Sequence, residues 1–137
     1  MIDEIEYSLP AISVMLHREA GKQNKYVFMG ANIGWGASIF CFAPGGKKFE
    51  EYFEYNEAGK TINPLRYLKS QPKYLDLKII ELVLSGQLPM PALSSSVSLV
   101  AAVMSCEIIS FITQKRKPLI VPKFIFIDLF DLTIDKS

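Results

Sequence analysis

His17 is the one histidine of the chain, so any base-assisted nucleophilic triad would have to be built on it. No nucleophile motif accompanies it. It stands in the stretch His17-Arg18-Glu19-Ala20-Gly21-Lys22, which reads as the solvated face of a helix. The glycines Gly30, Gly34 and Gly36 invite comparison with a dinucleotide loop, but that fingerprint runs from strand through glycines into a helix N-terminus that receives the phosphate. Here a second strand follows, and a tight hairpin is expected. Pro44-Gly45-Gly46-Lys47-Lys48 lacks the Gly-x-x-x-x-Gly-Lys-Ser/Thr spacing of a phosphate loop and reads as a turn with solvated lysines. Ser94, Ser95, Ser96 and Ser98 could supply hydroxyl nucleophiles or phosphate contacts, although helix capping accounts for at least one of them. Glu50, Glu51 and Glu54 could ligate a hard cation or belong to a solvated loop, and the loop is the favoured reading. Asp3, Glu4 and Glu6 form an acidic group ahead of a helix, where they would complement its N-terminus. Cys41 and Cys106 belong to no CxxC or CxxH pattern, which leaves zinc without support. A single disulfide is arithmetically open, and two buried thiols in a reducing cytosol are favoured over it.

These residues must be positioned by a small set of elements. Leu9, Ile12, Val14, Met15 and Leu16 lie near helical spacing, so an amphipathic helix is expected within Ile5 to Gln23, starting near Pro10. Tyr26-Val27-Phe28-Met29 reads as a buried strand, and Ser38-Ile39-Phe40-Cys41-Phe42-Ala43 as a second one that stops at Pro44. From Lys47 to about Pro91 the pattern weakens into an irregular connection. It opens on the acidic aromatic run Phe49-Glu50-Glu51-Tyr52-Phe53-Glu54-Tyr55 and holds one further helix, Asp76 to Leu84, that ends at Gly86. A long helix is expected over Val97–Thr113, capped by the serines and followed by Lys115-Arg116-Lys117, which suit a helix C-terminus. Phe124 to Phe130 is apolar on both faces of a period-2 pattern and reads as a strand covered on both sides. Three or four oily strands interleaved with about three helices argue an α/β sheet between two helical layers.

Composition narrows the function classes. The chain has 137 residues, 50% of them hydrophobic and 21% charged, with a formal net charge of +1 and a mean hydropathy of +0.21. That fits one globular domain and excludes a disordered tail. The even charge balance gives no footprint for nucleic acid. Met1-Ile2-Asp3-Glu4-Ile5-Glu6 opens acidic and has no apolar core of a signal peptide, so a cytoplasmic protein is expected. Val97–Thr113 has the minimal length for a membrane span, but Glu107 near its centre would cost about 2.5 kcal/mol on insertion. A buried helix of a soluble protein is therefore expected, with no membrane partner. The oiliness of so small a chain still requires a cause.

Taken together the segments resemble the second half of the ThiF/MoeB/HesA family, adenylyltransferase domains related to ubiquitin-activating enzymes. Asp3 to Lys25 is similar to the helix after the family's acidic motif, Tyr26–Met29 to the next strand, and Ser38–Pro44 to the strand that ends at a Phe-x-Pro exit. Phe49-Glu50-Glu51-Tyr52-Phe53 is similar to the start of the long crossover connection in some bacterial members. Ser94 through Ile109 looks like the helix that returns to the core, followed by a basic, proline-bearing link and the terminal strand Phe124–Phe130.

The resemblance implies an α/β fold in which a partial Rossmann-like sheet of mixed strands carries helices on both faces. Residues 1–137 would form a single domain, with the crossover at about 47–91. It also implies the chemistry of a complete family domain, which uses ATP and magnesium to adenylate a C-terminal carboxylate of a ubiquitin-like protein, a sulphur carrier or a peptide. The family's nucleotide loop and phosphate-handling arginine and lysine lie upstream of what this chain covers. No cofactor is therefore expected for the isolated chain, and no metal site is assigned. Asp3 and Glu6 fall on the family's Asp-x-x-Asp motif and are the candidate catalytic residues, with Glu6, one methylene longer, standing for the magnesium-facing Asp. The crossover 47–91 would border the incoming carboxylate tail; the zinc-binding CxxC pairs of many members are absent, and no cysteine lies in the crossover to form a thioester. The expected protein is a ThiF-type portion, excised or truncated, that is inactive alone. The alternative is a non-catalytic module that dimerises or holds a partner half-domain, its apolar excess lying mainly on the first strand pair and the terminal strand. A small independent enzyme has the least support.

Overall fold

The two oily runs form a hairpin because Gly34-Trp35 is a two-residue loop whose first position takes φ +55, a conformation open to glycine and matched to the twist of paired strands. The computed structural model describes residues 1–85 and 87–136. Its hairpin strands, β2 (Val27–Ile33) and β3 (Gly36–Phe42), are the centre of a five-stranded sheet in chain order. β1 (Ile2–Asp3) pairs parallel with β2, Asp3 opposite Met29. β4 (Ile125–Asp128) and β5 (Thr133–Asp135) extend the sheet antiparallel beyond β3. The sheet is mixed, as expected.

Both faces of the central strands are covered, which is why these strands read as continuous apolar runs. Alternate residues feed two cores. Met29, Phe40 and Phe42 pack with Val14 of α1 (Pro10–Lys22), with Phe49, Tyr52 and Phe53 in and after the one-turn α2 (Phe49–Tyr52), and with Phe124. Phe28, Ile39, Cys41 and Ile125 pack on the other side with Met104 of α4 (Ser94–Ile112). The aromatic run read as part of an irregular connection is therefore a wedge of the first core. Phe40 lies 5.6 Å from Phe53 and stacks 4.6 Å from Phe124. The crossover also holds a 3-10 turn (Pro64–Tyr67) and α3 (Leu77–Leu84), the latter capped by Asp76, which accepts from the Lys78 amide. The expected helix stop at Gly86 lies outside the described residues.

Several expectations need correction. β1 and β5 were not foreseen, and the terminal strand is shorter than Phe124–Phe130. The serines do not cap α4: its N-cap is Leu93, and the Ser96 hydroxyl instead donates to the carbonyls of Gly34 and Leu93, pinning the helix to the hairpin turn. Long and apolar enough to cross a membrane, α4 is buried along one face only, through Ser96, Val100, Met104 and Glu107. Its outer face, including Val97, Ile109 and Ile112, is exposed. The exposed large apolar side chains sit on α4, on α3 and around β5, and also on β1 and α1, where Ile2, Ile12 and Met15 lie outside; β3 is buried throughout. Cys106 is exposed, so only Cys41 matches the expected buried thiol.

Candidate functional site

β1 and α1 carry the residues that the sequence singles out. Asp3 ends β1 with its side chain turned to the α1 side, where it is fully buried. One carboxylate oxygen lies 3.0 Å from His17 Nε2; the other accepts from the Ile5 amide at 3.0 Å and from the Ser13 hydroxyl at 3.3 Å. His17 is wedged between rings, with centroids 4.6 Å from Phe42 and 4.6 Å from Phe49. It is not solvated, as its polar neighbours suggested. Pro10, Ser13, Val14, His17 and Ala20 make the buried stripe of α1, spaced three and four apart. That spacing in the sequence is the signal that would have placed Ser13 and His17 inside.

The first turn of α1 itself holds no acidic residue, and of the acidic group ahead of it Asp3 is the one that reaches that turn, accepting from the Ser13 hydroxyl. Glu4 points to the opposite face, where an added Cβ on Gly30 would stand 3.1 Å from its Oε1. Partial burial, and then the negative charge of Asp3, push the Glu4 carboxyl above the usual range. Glu6 lies in the loop after β1, exposed, with its carbonyl accepting from the Leu9 amide at 2.8 Å. Its carboxylate makes no hydrogen bond among the described residues. The two candidate catalytic residues are therefore separated in role: Asp3 is committed to the interior, and Glu6 is free to face solvent.

Several of the other chemical candidates are occupied. Glu50 accepts from Arg18 at 3.0 Å, while Glu54 takes Asn63 at 2.7 Å together with Arg66. The Ser38 hydroxyl donates to the Tyr67 carbonyl. Burial, with a smaller contribution from Asp3, pushes the Tyr67 phenol upward. On the α4 side Glu107 is buried and paired with Arg116. Burial first, and Glu107 second, raise the Cys41 thiol from 9.0 to about 12, which removes it as a nucleophile. Gly45-Gly46 is the expected turn, with exposed lysines after it. No group of three or more His, Cys, Asp or Glu able to hold a metal ion occurs among the described residues.

No family model matches the chain, and no curated protein does. Solved structures do. E. coli MccB with ATP is similar at a TM-score of 0.64 and 15% identity, over 99% of this chain and 35% of that chain. The Microcin C7 biosynthetic enzyme MccB in complex with N-formylated MccA gives 0.61 and 16% identity over 100% and 36%. Selenomethionine PaaA gives 0.61 and 15% over 93% and 39%. The chain spans little more than a third of the length of these structures. MccB and PaaA are ThiF/MoeB-type adenylyltransferases, so what the chain shares with that type, at these identities, is part of its α/β fold.

Proposed function

We propose that this chain is part of a ThiF-type adenylyltransferase-like protein that activates a C-terminal carboxylate with ATP, and that alone it neither binds ATP usefully nor catalyses. The observation that carries this reading is the match of the whole chain to about a third of MccB, in a structure that also holds ATP. ATP and magnesium would be bound in the remainder of such a domain. Within this chain, Glu6 would be the carboxylate that approaches the magnesium–nucleotide; its exposure and the Asp3 hold on the neighbouring Ile5 amide support that reading. Calorimetric titration of magnesium–ATP into the 137-residue chain is expected to give no saturable heat. The chain joined to an upstream ThiF-type nucleotide-binding half should support pyrophosphate exchange with a suitable carboxylate acceptor and lose it in Glu6→Ala. Tight ATP binding by the chain alone, or absence of exchange with every acceptor, would contradict the reading.

A second reading, a non-catalytic module that associates with itself, is favoured by one specific feature. Over Ser94–Ile112 the only charged residue is Glu107, and it points inward, so the exposed side of α4 carries no charge at all. Surfaces of this kind are commonly covered by a partner. Sedimentation equilibrium should then show concentration-dependent dimers that Ile109→Glu abolishes, whereas a strict monomer would sink this reading.

A further inference from the structure

Trp35, the single tryptophan of the chain, stands at the tip of the β2–β3 hairpin, and Phe130 stands in the turn that joins β4 to β5. Both are large apolar side chains left outside, at 40% and 51% exposure. They nevertheless meet. Their ring centroids are 5.9 Å apart at 69°, and the Tyr74 ring lies 5.7 Å from that of Phe130 at 56°. Rings at such steep angles make a corner and not a flat stack. Backbone bonds hold this corner in place before any ligand arrives. The Leu129 amide donates to the Trp35 carbonyl at 3.1 Å, and Asp128 Oδ1 accepts from the Phe130 amide at 2.8 Å and from the Asp131 amide at 3.3 Å. A fixed arrangement spares a ligand the entropy of ordering its own site.

The charge beside the rings is acidic. Asp131 follows Phe130 directly, and its carboxylate accepts from Lys73 Nζ at 3.1 Å, the two side chains being 38% and 76% exposed. So exposed a pair is weak and readily exchanged. Asp128 lies opposite Gly36 in the β3–β4 ladder, and paired residues share a face of the sheet. On that face the Tyr74 hydroxyl oxygen would stand 2.9 Å from a Cβ added at Gly36; it is buried and has no hydrogen-bond partner among the described residues. Burial first, then the charges of Asp128 and Asp131, push the Tyr74 phenol upward, so the negative field of both acids reaches the rings. Aromatic faces with carboxylates beside them attract a cation. An ammonium such as that of Lys73 acts as a point charge, whereas a guanidinium is planar, stacks on a ring and presents forked donors to a carboxylate.

We infer that this corner receives an arginine side chain from a partner protein. The guanidinium lies over the rings of Trp35 and Phe130 and donates to the Asp131 carboxylate, displacing Lys73. The site is open, at the tips of two turns. A free small molecule would keep much of its surface in water there, whereas a protein brings the surrounding contacts that exclude water from a central arginine. Such a contact is independent of adenylation.

The lone tryptophan makes the corner its own reporter. Titration of the chain with the peptide acetyl-Gly-Arg-Gly-amide is expected to give a saturable change in Trp35 fluorescence, with amide chemical shifts moving at residues 34–36 and 128–132. The same peptide with citrulline, nearly the same in shape but neutral, should bind about two- to fivefold more weakly. Asp131→Asn should weaken the arginine peptide by a similar factor, and Lys73→Met, which removes the competing ammonium, should tighten it. Both positions are exposed, so both variants should fold as the parent does, which circular dichroism checks. A norleucine peptide bound as tightly as the arginine peptide would make the corner a plain apolar contact, and agmatine bound more tightly than the peptide would make it a site for a small guanidine; either result overturns the proposal. Equal binding of arginine and citrulline, shifts centred on residues 97–112, or indifference to both substitutions would overturn it as well.

Discussion

Asp3, singled out in the sequence for its chemistry, also carries a structural load through its buried partners. A carboxylate with no solvent contact is costly unless every acceptor is met, and His17, Ser13 and the Ile5 amide meet them. Removing one partner strands the other. Asp3→Ala is therefore expected to cost about 3–5 kcal/mol and Ser13→Ala about 1 kcal/mol, while exposed Glu6→Ala should stay within about 0.5 kcal/mol, all read from urea unfolding. A double-mutant cycle of Asp3→Ala with His17→Ala should reveal strong coupling, and additive losses would deny the pair. The cysteines give a second prediction at this scale. Iodoacetamide at about pH 8 should label Cys106 in the native protein and Cys41 only after unfolding, since the thiolate is the reacting form. Because the folded Cys41 pKa is raised from 9.0 to about 12, its contribution to stability is intact below pH 9.0 and is lost as pH climbs toward 12. Cys41→Ala should lessen the stability loss between those pH values, as measured by denaturation midpoints.

The elements differ in how plainly the sequence announces them, and the reason is length. α1, α3 and α4 span enough turns for periodicity, and β2 and β3 are apolar runs long enough between glycines and prolines, to declare themselves. β1 and β5, at two and three residues, are too short to have a period and exist because a neighbouring strand offers hydrogen bonds. The one-turn α2 was hidden because it is too short to show a period and Glu50, Glu51 and Glu54 are interspersed among Phe49, Tyr52 and Phe53, of which the rings alone face the core. The candidate acids were legible as residues, but which of them turns inward depends on pairing with β2, a long-range fact. The close seat of α4 on the sheet depends on Gly30, where a Cβ would stand 2.3 Å from Val100 Cγ1. Gly30→Ala must push the helix outward, and overpacking of this sort costs about 1–3 kcal/mol. A crystal structure or amide shifts of the variant should show α4 displaced. Wild-type stability in Gly30→Ala would mean that the contact is loose.

At the scale of the whole molecule, half of the residues are hydrophobic because two cores sandwich one sheet and because apolar side chains are also left outside. Ile109 and Ile112 on α4, at 60% and 69% exposure, and Leu132 and Ile134 around β5, at 84% and 66%, are among the most exposed members of that outer part. Burying an aliphatic side chain stabilises by about 1.5–3 kcal/mol, so surfaces of this kind favour whatever covers them. The native protein at low concentration is therefore expected to enhance the fluorescence of an apolar dye such as anilinonaphthalene sulfonate without any unfolding. Ile109→Lys with Ile112→Lys should remove the larger share of the signal if α4 is the main patch, and Leu132→Lys with Ile134→Lys a smaller further share. Self-association through α4 adds a distinguishing consequence: dye bound per chain should fall as protein concentration rises, and the fall should vanish in the α4 double variant. A native protein that stays dark at every concentration would show that these side chains form no continuous surface, and the explanation of the oily composition would then have to rest on the two cores alone.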